Sequence, residues 1–537
     1  MRRAIPVLVA FALALTGCTG GNDNGAGDKP RRGGILRVGV IGPQGEPAIE
    51  RLQSLDPAQA RSFAELLAVD QLFESLTSYD ARTLKVRPGL AMSWKSTPDQ
   101  QHWDFTLRKG AMFANRRPVT SADVKYSLER VARKGSTSPV ALQLEPVTGF
   151  RAFNVDGTAP GLAGIVAPAP NVVHIDLDQP LSSLPAVLGS PVFGIVPKEA
   201  VEALPPAKPF AEQPVGSGPF VVRSRTPSVI HLARAPGSHA QLAGLDLVLH
   251  SDQTAAYNAF TREQLDFSPV PLSRVEEVRR TRGGAASRPY LAELFYGFNL
   301  KNPKFADPRF REAIVRAIDR DAIVKKVYKN TVRPSIGVVP MGTPGYVPDI
   351  CGDKCRYDPA AARALVAQVF GVTPPTPVTI DFDEDPTQRS IALDMMANLN
   401  AVGIPTTIRP HLPGDYLKFA VSGQQELFRL GWIGAYPTAD AFLSPLFVSG
   451  LPDNVTGFSS PEIDTLLKGA RAQADESRRT ELYREAERKI MEQVPLVPIA
   501  QFDTHAVVAP RVRDLVLTAA GTFDASRVWL TTASGSH

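Results

Sequence analysis

Apolar and polar positions alternate around Leu36, Val38 and Val40, around Trp103, Phe105 and Leu107, and around Val173, Ile175 and Leu177, which predicts half-buried strands. Between them the period changes to that of helices. Residues 65–76 read as a helix running into a turn at 76–80. Val124, Leu128 and Val131 share one face of a helix that Thr120 and Asp123 open in capping-box fashion. The second half begins with an aromatic strand at 294–299. Asp307 and Pro308 then start a helix whose apolar stripe is Phe310, Ala313, Ile314, Ala317 and Ile318. Asp358 and Pro359 repeat the device before Leu365, Val366, Val369 and Phe370, and Gly371 ends that helix. A strand at 378–382, a helix at 391–399 and a strand at 406–409 continue the rhythm. Ser460 and Pro461 open a final helical pair, with Ile463, Leu466 and Leu467 on one face and Leu482, Ala486 and Ile490 on the next. Strands alternating with helices argue for an α/β protein with mixed sheets.

One stretch stands apart, residues 426–443. Leu427, Phe428 and Leu430 make a short buried strand, Gly431 and Gly434 let the backbone turn or approach another group, and Pro437 stops ladder pairing. Trp432 and Tyr436 therefore sit where the chain leaves a sheet, the place where α/β proteins usually meet ligands. The same pattern also describes a core strand with two packing aromatics.

With 537 residues, 43% hydrophobic and 21% charged, the chain is long enough for two or three packed domains. A formal charge of +5, about +3 once Arg2 and Arg3 are set aside, gives no basis for nucleic-acid binding. Those two arginines precede an apolar run from Ile5 to Leu15, too short to span a bilayer but of secretory length. It ends in Leu15-Thr16-Gly17-Cys18, which resembles a bacterial lipobox. Residues 1–17 are thus expected to be a lipoprotein signal peptide, with Cys18 as the acylated residue holding the protein to a membrane without a spanning helix. Residues 18–33, rich in Gly, Asn and Asp, form a flexible tether. Export to an oxidising compartment makes a local disulfide between Cys351 and Cys355 the expected state. A metal site would need more ligands, and the eight His show no His-x-x-x-His or His-Glu-x-x-His spacing, so no metal and no cofactor are expected.

Several segments fall in a familiar order: Ser54-Leu55-Asp56-Pro57, Phe73-Glu74-Ser75-Leu76, Arg87-Pro88-Gly89-Leu90-Ala91, Trp103 to Gly110, Arg117 to Val124, Val215-Gly216-Ser217-Gly218-Pro219-Phe220, Asp307 to Ile314, and Ala317-Ile318-Asp319-Arg320. With the stretch at 426–443, which resembles the "W-x-x-D-Y-P-D-P-x-x-F-L" segment, they make the chain similar to the family 5 extracellular solute-binding proteins, the oligopeptide, dipeptide and nickel receptors of ABC importers. The resemblance implies a two-lobed clamp of the periplasmic-binding-protein kind, with a ligand cleft between lobes and a small domain inserted in the N-terminal lobe. Lobe one is then residues 34–76, 191–288 and 498–537, the insertion 77–190, and lobe two 289–497. It further implies no catalysis, a monomer on the extracytoplasmic face of a bacterial membrane, and an ABC permease with its ATPase subunits as partners. Gly216-Ser217-Gly218 resembles the family's "G-T-G-P-Y" turn and matches neither a phosphate loop nor a nucleophile elbow.

The resemblance assigns Trp432, Gly434 and Tyr436 to the cleft loop and Tyr290 and Phe295 to the facing strand, as pocket walls. It also marks a departure. Where peptide-binding members carry the Asp that pairs with the ligand's α-ammonium, this chain has Ala435. Either Asp440 takes over from five residues on, or the ligand lacks a free amine; Asp440 also fits a loop cap. A hydrolase using Asp381, Asp383, Glu384 and Asp385 and a lipoprotein that senses without transporting are the rival classes, although an acidic run before Pro386 also suits a helix cap.

Overall fold

The computed structural model describes residues 30–41, 54–203, 210–281 and 286–531. The signal segment, Cys18 and the tether up to residue 29 lie outside them. The frame of the molecule is an eleven-stranded mixed sheet. From one edge its order is Thr406–His411, Val378–Asp383, Leu427–Ile433, Ala286–Phe298, Leu496–Val508, Phe267–Pro269, Ile35–Ile41, Gly244–His250, Val229–Arg234 and Phe220–Arg225, with Arg333–Pro334 added on Leu496–Val508. Parallel pairs occur towards both ends, Ile35–Ile41 on Gly244–His250 and Val378–Asp383 on Thr406–His411. In the middle stand two antiparallel strands of 13 residues each, Ala286–Phe298 and Leu496–Val508.

Those two strands join separate cores. Phe298, Tyr296, Leu294 and Val497 pack with Phe310, Ile314, Ile380 and Ile391 on one side. At the other end Ala506 packs with Val38, Leu245, Phe267 and Phe523. A third core fills a smaller body, the antiparallel sheet Ala91–Ser96, His102–Leu107, Val172–Asp176, Ile165–Ala169 covered by helix Ser121–Ala132. Between Pro289 and Glu293 the pairing register of the two long strands shifts, so three residues of one strand face a single residue, Phe502, of the other. Such a bulge interrupts the ladder and bends the strand. The two cores meet there.

The arginines of the Asp307 to Arg320 region secure the end of the long pair. Arg311 donates to the carbonyls of Val494 (3.0 Å) and Phe305 (2.6 Å), and Arg320 to those of Pro498 (2.6 Å) and Cys355 (2.9 Å). A disulfide joins Cys351 to Cys355 beside them. Buried guanidinium groups thus meet backbone acceptors, and each paired carbonyl escapes the cost of an unsatisfied buried acceptor.

Several boundaries differ from the sequence reading. The sequence places the crossing between lobes at Pro498, yet the strand runs on through it. A second register shift, where Leu294 pairs with Ala500 and Phe295 with Pro498, accommodates the missing N–H, and Ile499 and Ala500 pack in the same core as Val497. Val192, Phe193 and Ile195 join the core of the small body rather than opening the next domain. The first helix spans Phe63–Leu72, earlier than expected, because Ser62 and Glu65 form its capping box. Residues Thr77–Tyr79 form a strand on Val86–Pro88 instead of a turn. The helix expected at 391–399 covers Pro386–Ala401, capped by Asp385.

The Gly216-Ser217-Gly218 turn is a backbone contact. Gly218 N–H donates to the Leu72 carbonyl at 3.0 Å, and the Gly216 carbonyl accepts from Ala114 at 2.8 Å, so one turn ties the first helix to the small body. A Cβ on Gly216 would stand 1.9 Å from the Leu72 oxygen, and one on Gly218 2.4 Å from the Leu72 carbonyl carbon. Gly216→Ala is therefore expected to destabilise the protein by about 2–4 kcal/mol, the range of a forced core overlap with backbone movement. The denaturant midpoint reads the loss; an unchanged midpoint shows that this contact is dispensable.

Candidate functional site

Leu427–Ile433 pairs antiparallel with Ala286–Phe298, which places Trp432 opposite Glu293 and Ile433 opposite Ala292. Gly434 prolongs the ladder by one bond, donating to the Leu291 carbonyl inside the bulge at 2.8 Å. A Cβ at Gly434 would overlap the Phe442 ring at 2.5 Å, so glycine is needed there for packing. The chain then turns through Ala435 and Pro437 into the helix Asp440–Phe447. Trp432 Nε1 donates to the Ala441 carbonyl at 2.6 Å, which locks the half-buried indole to the helix start. Tyr290 lies half-buried in the bulge, where burial raises its phenol pKa. Trp432, Gly434 and Tyr290 thus lie in or beside the bulge, whereas Tyr436 turns to Asp440 and packs between the core of Phe310 and Ile380 and that of the small body. Ala435 is exposed beside them.

Two residues do something else. Phe295 is 2% exposed and packs in the core built on Phe310 and Ile380, facing Leu430 across the ladder. It is a core side chain and no pocket wall. Asp440 is 1% exposed. One carboxylate oxygen accepts from Tyr436 (2.9 Å) and Ser183 (3.1 Å), the other from Ser444 (2.6 Å), and Arg471 Nε lies 3.8 Å away. Ser183 belongs to the small body, whereas Tyr436, Ser444 and Arg471 belong to the other side. Ser182 repeats the link, its N–H donating to the Arg471 carbonyl at 2.8 Å. Asp440 therefore knots two bodies together and is already saturated with donors, which corrects the expectation that it stands in for a missing amine anchor. Burial, and after it the Asp440 charge, pushes the Tyr436 phenol well above its usual range, so it stays a donor to that carboxylate.

The acidic run is equally committed. Asp381 pairs with Arg409 (2.5 Å) and His411 (3.0 Å), Glu384 with Arg389 (2.5 Å), Asp383 lies 3.6 Å from Arg429, and Asp385 caps its helix. No two of them are left as a free acid and base.

One group escaped the sequence reading. Glu293, next to the bulge and opposite Trp432, is 2% exposed, and its two oxygens lack a hydrogen-bond partner. Burial pushes its carboxyl well above the usual range, against the milder influence of Ser335 and Gln501, with Glu487 adding repulsion. Glu487 is buried as well; its Oε1 accepts from the N–H groups of Val338 (2.8 Å) and Val339 (2.9 Å), and burial raises it to about 7. Gln501 joins the set, accepting from Met341 N–H at 3.1 Å. The signal was present in the sequence as a carboxylate inside the apolar run Leu291 to Phe298.

A sheet that passes between two cores through one bulged pair, with an aromatic loop pinned to the bulge, defines a two-lobed binding protein of the periplasmic kind. The family described as "Bacterial extracellular solute-binding proteins, family 5 Middle" matches residues 85–452, and the chain belongs to it. It is 26% identical over 475 residues to the periplasmic murein peptide-binding protein MppA of Escherichia coli K12, covering 85% of this chain and 87% of that one. It is 27% identical over 497 residues to the probable di/tripeptide-binding protein 5 of Pseudomonas aeruginosa, covering 86% and 90%. Among solved structures, the unliganded open form of MppA superposes with a TM-score of 0.81 at 24% identity, covering 94% of this chain and 98% of that one. Haemophilus influenzae OppA in complex with the peptide RPPGFSPFR gives 0.70 at 20% identity, covering 93% and 99%. The family and these neighbours are binding proteins rather than enzymes.

Removing the Asp440 carboxylate leaves Ser183, Tyr436 and Ser444 without their acceptor and Arg471 without its counter-charge. Asp440→Ala is expected to lower stability by about 3–5 kcal/mol, as for other broken buried pairs, measured by denaturant unfolding; a loss under about 1 kcal/mol refutes the knot. Glu487 supplies a pH test. Its folded pKa, about 7, lies above its ordinary 4.5, so the native state holds the extra proton in between and stability falls as pH rises through that window. Glu487→Gln keeps the acceptor for Val338 and Val339 but no longer titrates. Relative to the parent it should gain about 3 kcal/mol between roughly pH 4 and pH 8. Parallel stability curves for the two proteins would refute the assignment.

Proposed function

We propose that this chain is the receptor of an ABC importer, held by acyl chains on Cys18 at the extracytoplasmic face of a bacterial membrane, and that it hands a captured peptide or related polar solute to a permease and its ATPase. The family match over residues 85–452 carries this reading. The peptide-binding names of the relatives support the ligand class, and the Leu15 to Cys18 lipobox supports the anchor. Lobe one comprises residues 34–76, 196–288 and the chain beyond about residue 502; residues 77–195 are the small domain, and lobe two is the rest from 289.

Closure bends the two long strands at their bulge. A ligand in contact with both lobes binds the closed arrangement better and shifts the population towards it, and the permease reads that arrangement as loaded. Trp432, Tyr436 and Tyr290 border the cleft and offer rigid aromatic area for stacking. An extended ligand gains affinity from backbone hydrogen bonds irrespective of side chains. Ala435 supplies no carboxylate and Asp440 is engaged, so a buried α-ammonium at that point would lie uncompensated, at a cost of several kcal/mol. The ligand therefore carries a blocked or absent amine where ordinary peptide receptors hold a free one.

Native mass spectrometry of the chain from Gly34 onward, purified without denaturation, tests the reading. The expected result is a co-purifying mass, released on unfolding, that lacks a free α-amine. Ala435→Asp should then raise affinity for free-amine peptides by about tenfold or more. Retention of ordinary free-amine peptides by the parent refutes the specificity, and an empty protein that hydrolyses a substrate panel refutes the receptor.

A further inference from the structure

The outer face of the small domain carries a group of side chains that solute binding does not use. Strands His102–Leu107 and Val172–Asp176 are antiparallel neighbours, with His102 opposite Asp176 and Asp104 opposite His174. Alternation sends Trp103, Phe105, Val173 and Ile175 into the core, so the two His and two Asp share the solvent face. Asp176 Oδ1 lies 2.6 Å from His102 Nδ1 and 2.9 Å from His174 Nε2. The other nitrogen of His174, Nδ1, lies 2.7 Å from Asp104 Oδ1, and Lys95 Nζ stands 3.2 Å from the second Asp104 oxygen. The imidazole rings are nearly parallel, 13° apart. His102, His174 and Asp176 each offer one ligand atom, and these lie within 4.8 Å of one another.

We propose that His102 Nδ1, His174 Nε2 and Asp176 Oδ1 bind a zinc(II) ion, with solvent in the fourth position and Asp104 as the outer carboxylate that orients His174. The three donors converge from two paired strands, His102 from one side of a single ladder and His174 and Asp176 from the other. Zinc takes imidazole nitrogen and carboxylate oxygen at about 2.0–2.2 Å in a tetrahedron, so ligand atoms stand about 3.3 Å apart. The short His–Asp separations open by less than about 1 Å, and the half-exposed His102 ring closes the widest one. Two imidazoles disfavour magnesium and calcium, which select oxygen. The Asp104 contact matches the carboxylate–histidine–zinc pattern, in which the ring nitrogen remote from the metal bonds a carboxylate that fixes tautomer and orientation. Bound zinc clamps the two central strands of the small domain sheet. The inference is independent of the ligand carried in the cleft.

The test uses untagged, chelator-treated protein and zinc(II) chloride as the probe, by calorimetric titration and thermal unfolding, with cobalt(II) as a spectroscopic substitute. The expected result is one ion per chain, a Tm that rises with zinc concentration, and visible cobalt bands of tetrahedral intensity. His102→Ala and His174→Ala should each weaken binding by about a hundredfold or more, and Asp104→Asn by about 10–100-fold. Melting each variant without metal separates loss of the site from loss of the fold: a His102→Ala protein that unfolds cooperatively in chelator yet gains no Tm from zinc has lost the site alone. No binding at about 100 μM zinc, or binding that survives both His substitutions, overturns the proposal.

Discussion

The backbone pairing of Ala286–Phe298 with Leu496–Val508 is the constraint on which the remainder of the molecule rests. Leu496–Val508 carries apolar side chains for one core near its start and, at Ala506, for a second core near its end. Ala286–Phe298 packs its apolar end in the first core and follows its partner towards the second only through the ladder, with the bulge from Pro289 to Glu293 in between. A ladder resists stretching and shear because every bond along it must break together, yet it yields to bending and twisting where bonds are absent. The junction is stiff in length and soft in angle. Leu291, within the bulge, also donates to the Ala519 carbonyl at 3.1 Å and accepts from Gly434, so any change of angle is felt directly by the aromatic loop and by the C-terminal segment.

Against that soft joint stands the Asp440 knot. Three hydroxyl donors converge on a carboxylate sealed from water, and one of them comes from the small domain. In water such bonds contribute little; sealed, they gain from the low dielectric and become costly to break singly. The knot lies at the start of the helix that follows the aromatic loop, so the loop is held at Gly434 by the bulge and at Asp440 by the small domain. Its exposed residue Ala435 lies between those two anchors.

Much of this was legible in the sequence. The strand and helix alternation, the Asp-Pro helix starts and the buried strand at 427–430 rest on local chemistry that survives without tertiary knowledge. The facing of side chains was not. Phe295 and Trp432 looked alike as aromatics near a sheet end, but the ladder sends one into the core and leaves the other half-exposed, a distinction set by which neighbour covers each face. Asp440 read as a local cap because its partner Ser183 is 257 residues away. The His-x-Asp pairs at 102–104 and 174–176 carry no helical ligand spacing, because in strands the period is two and the partners come from another strand. Pro498 misled for a related reason: proline marks the end of a ladder only when no bulge receives it.

The position of Leu496–Val508 in the chain has a kinetic meaning. It is inserted between Phe267–Pro269 and Ala286–Phe298, strands that come more than 190 residues earlier, so until the ribosome has delivered nearly the whole polypeptide the great sheet exists only as two halves with open edges. Closure of the sheet is a late event with a long loop to draw in. A nascent chain whose final strand is not yet made is therefore unable to complete its fold. Any nick that removes the last forty residues or so leaves two half-sheets in place of one continuous sheet.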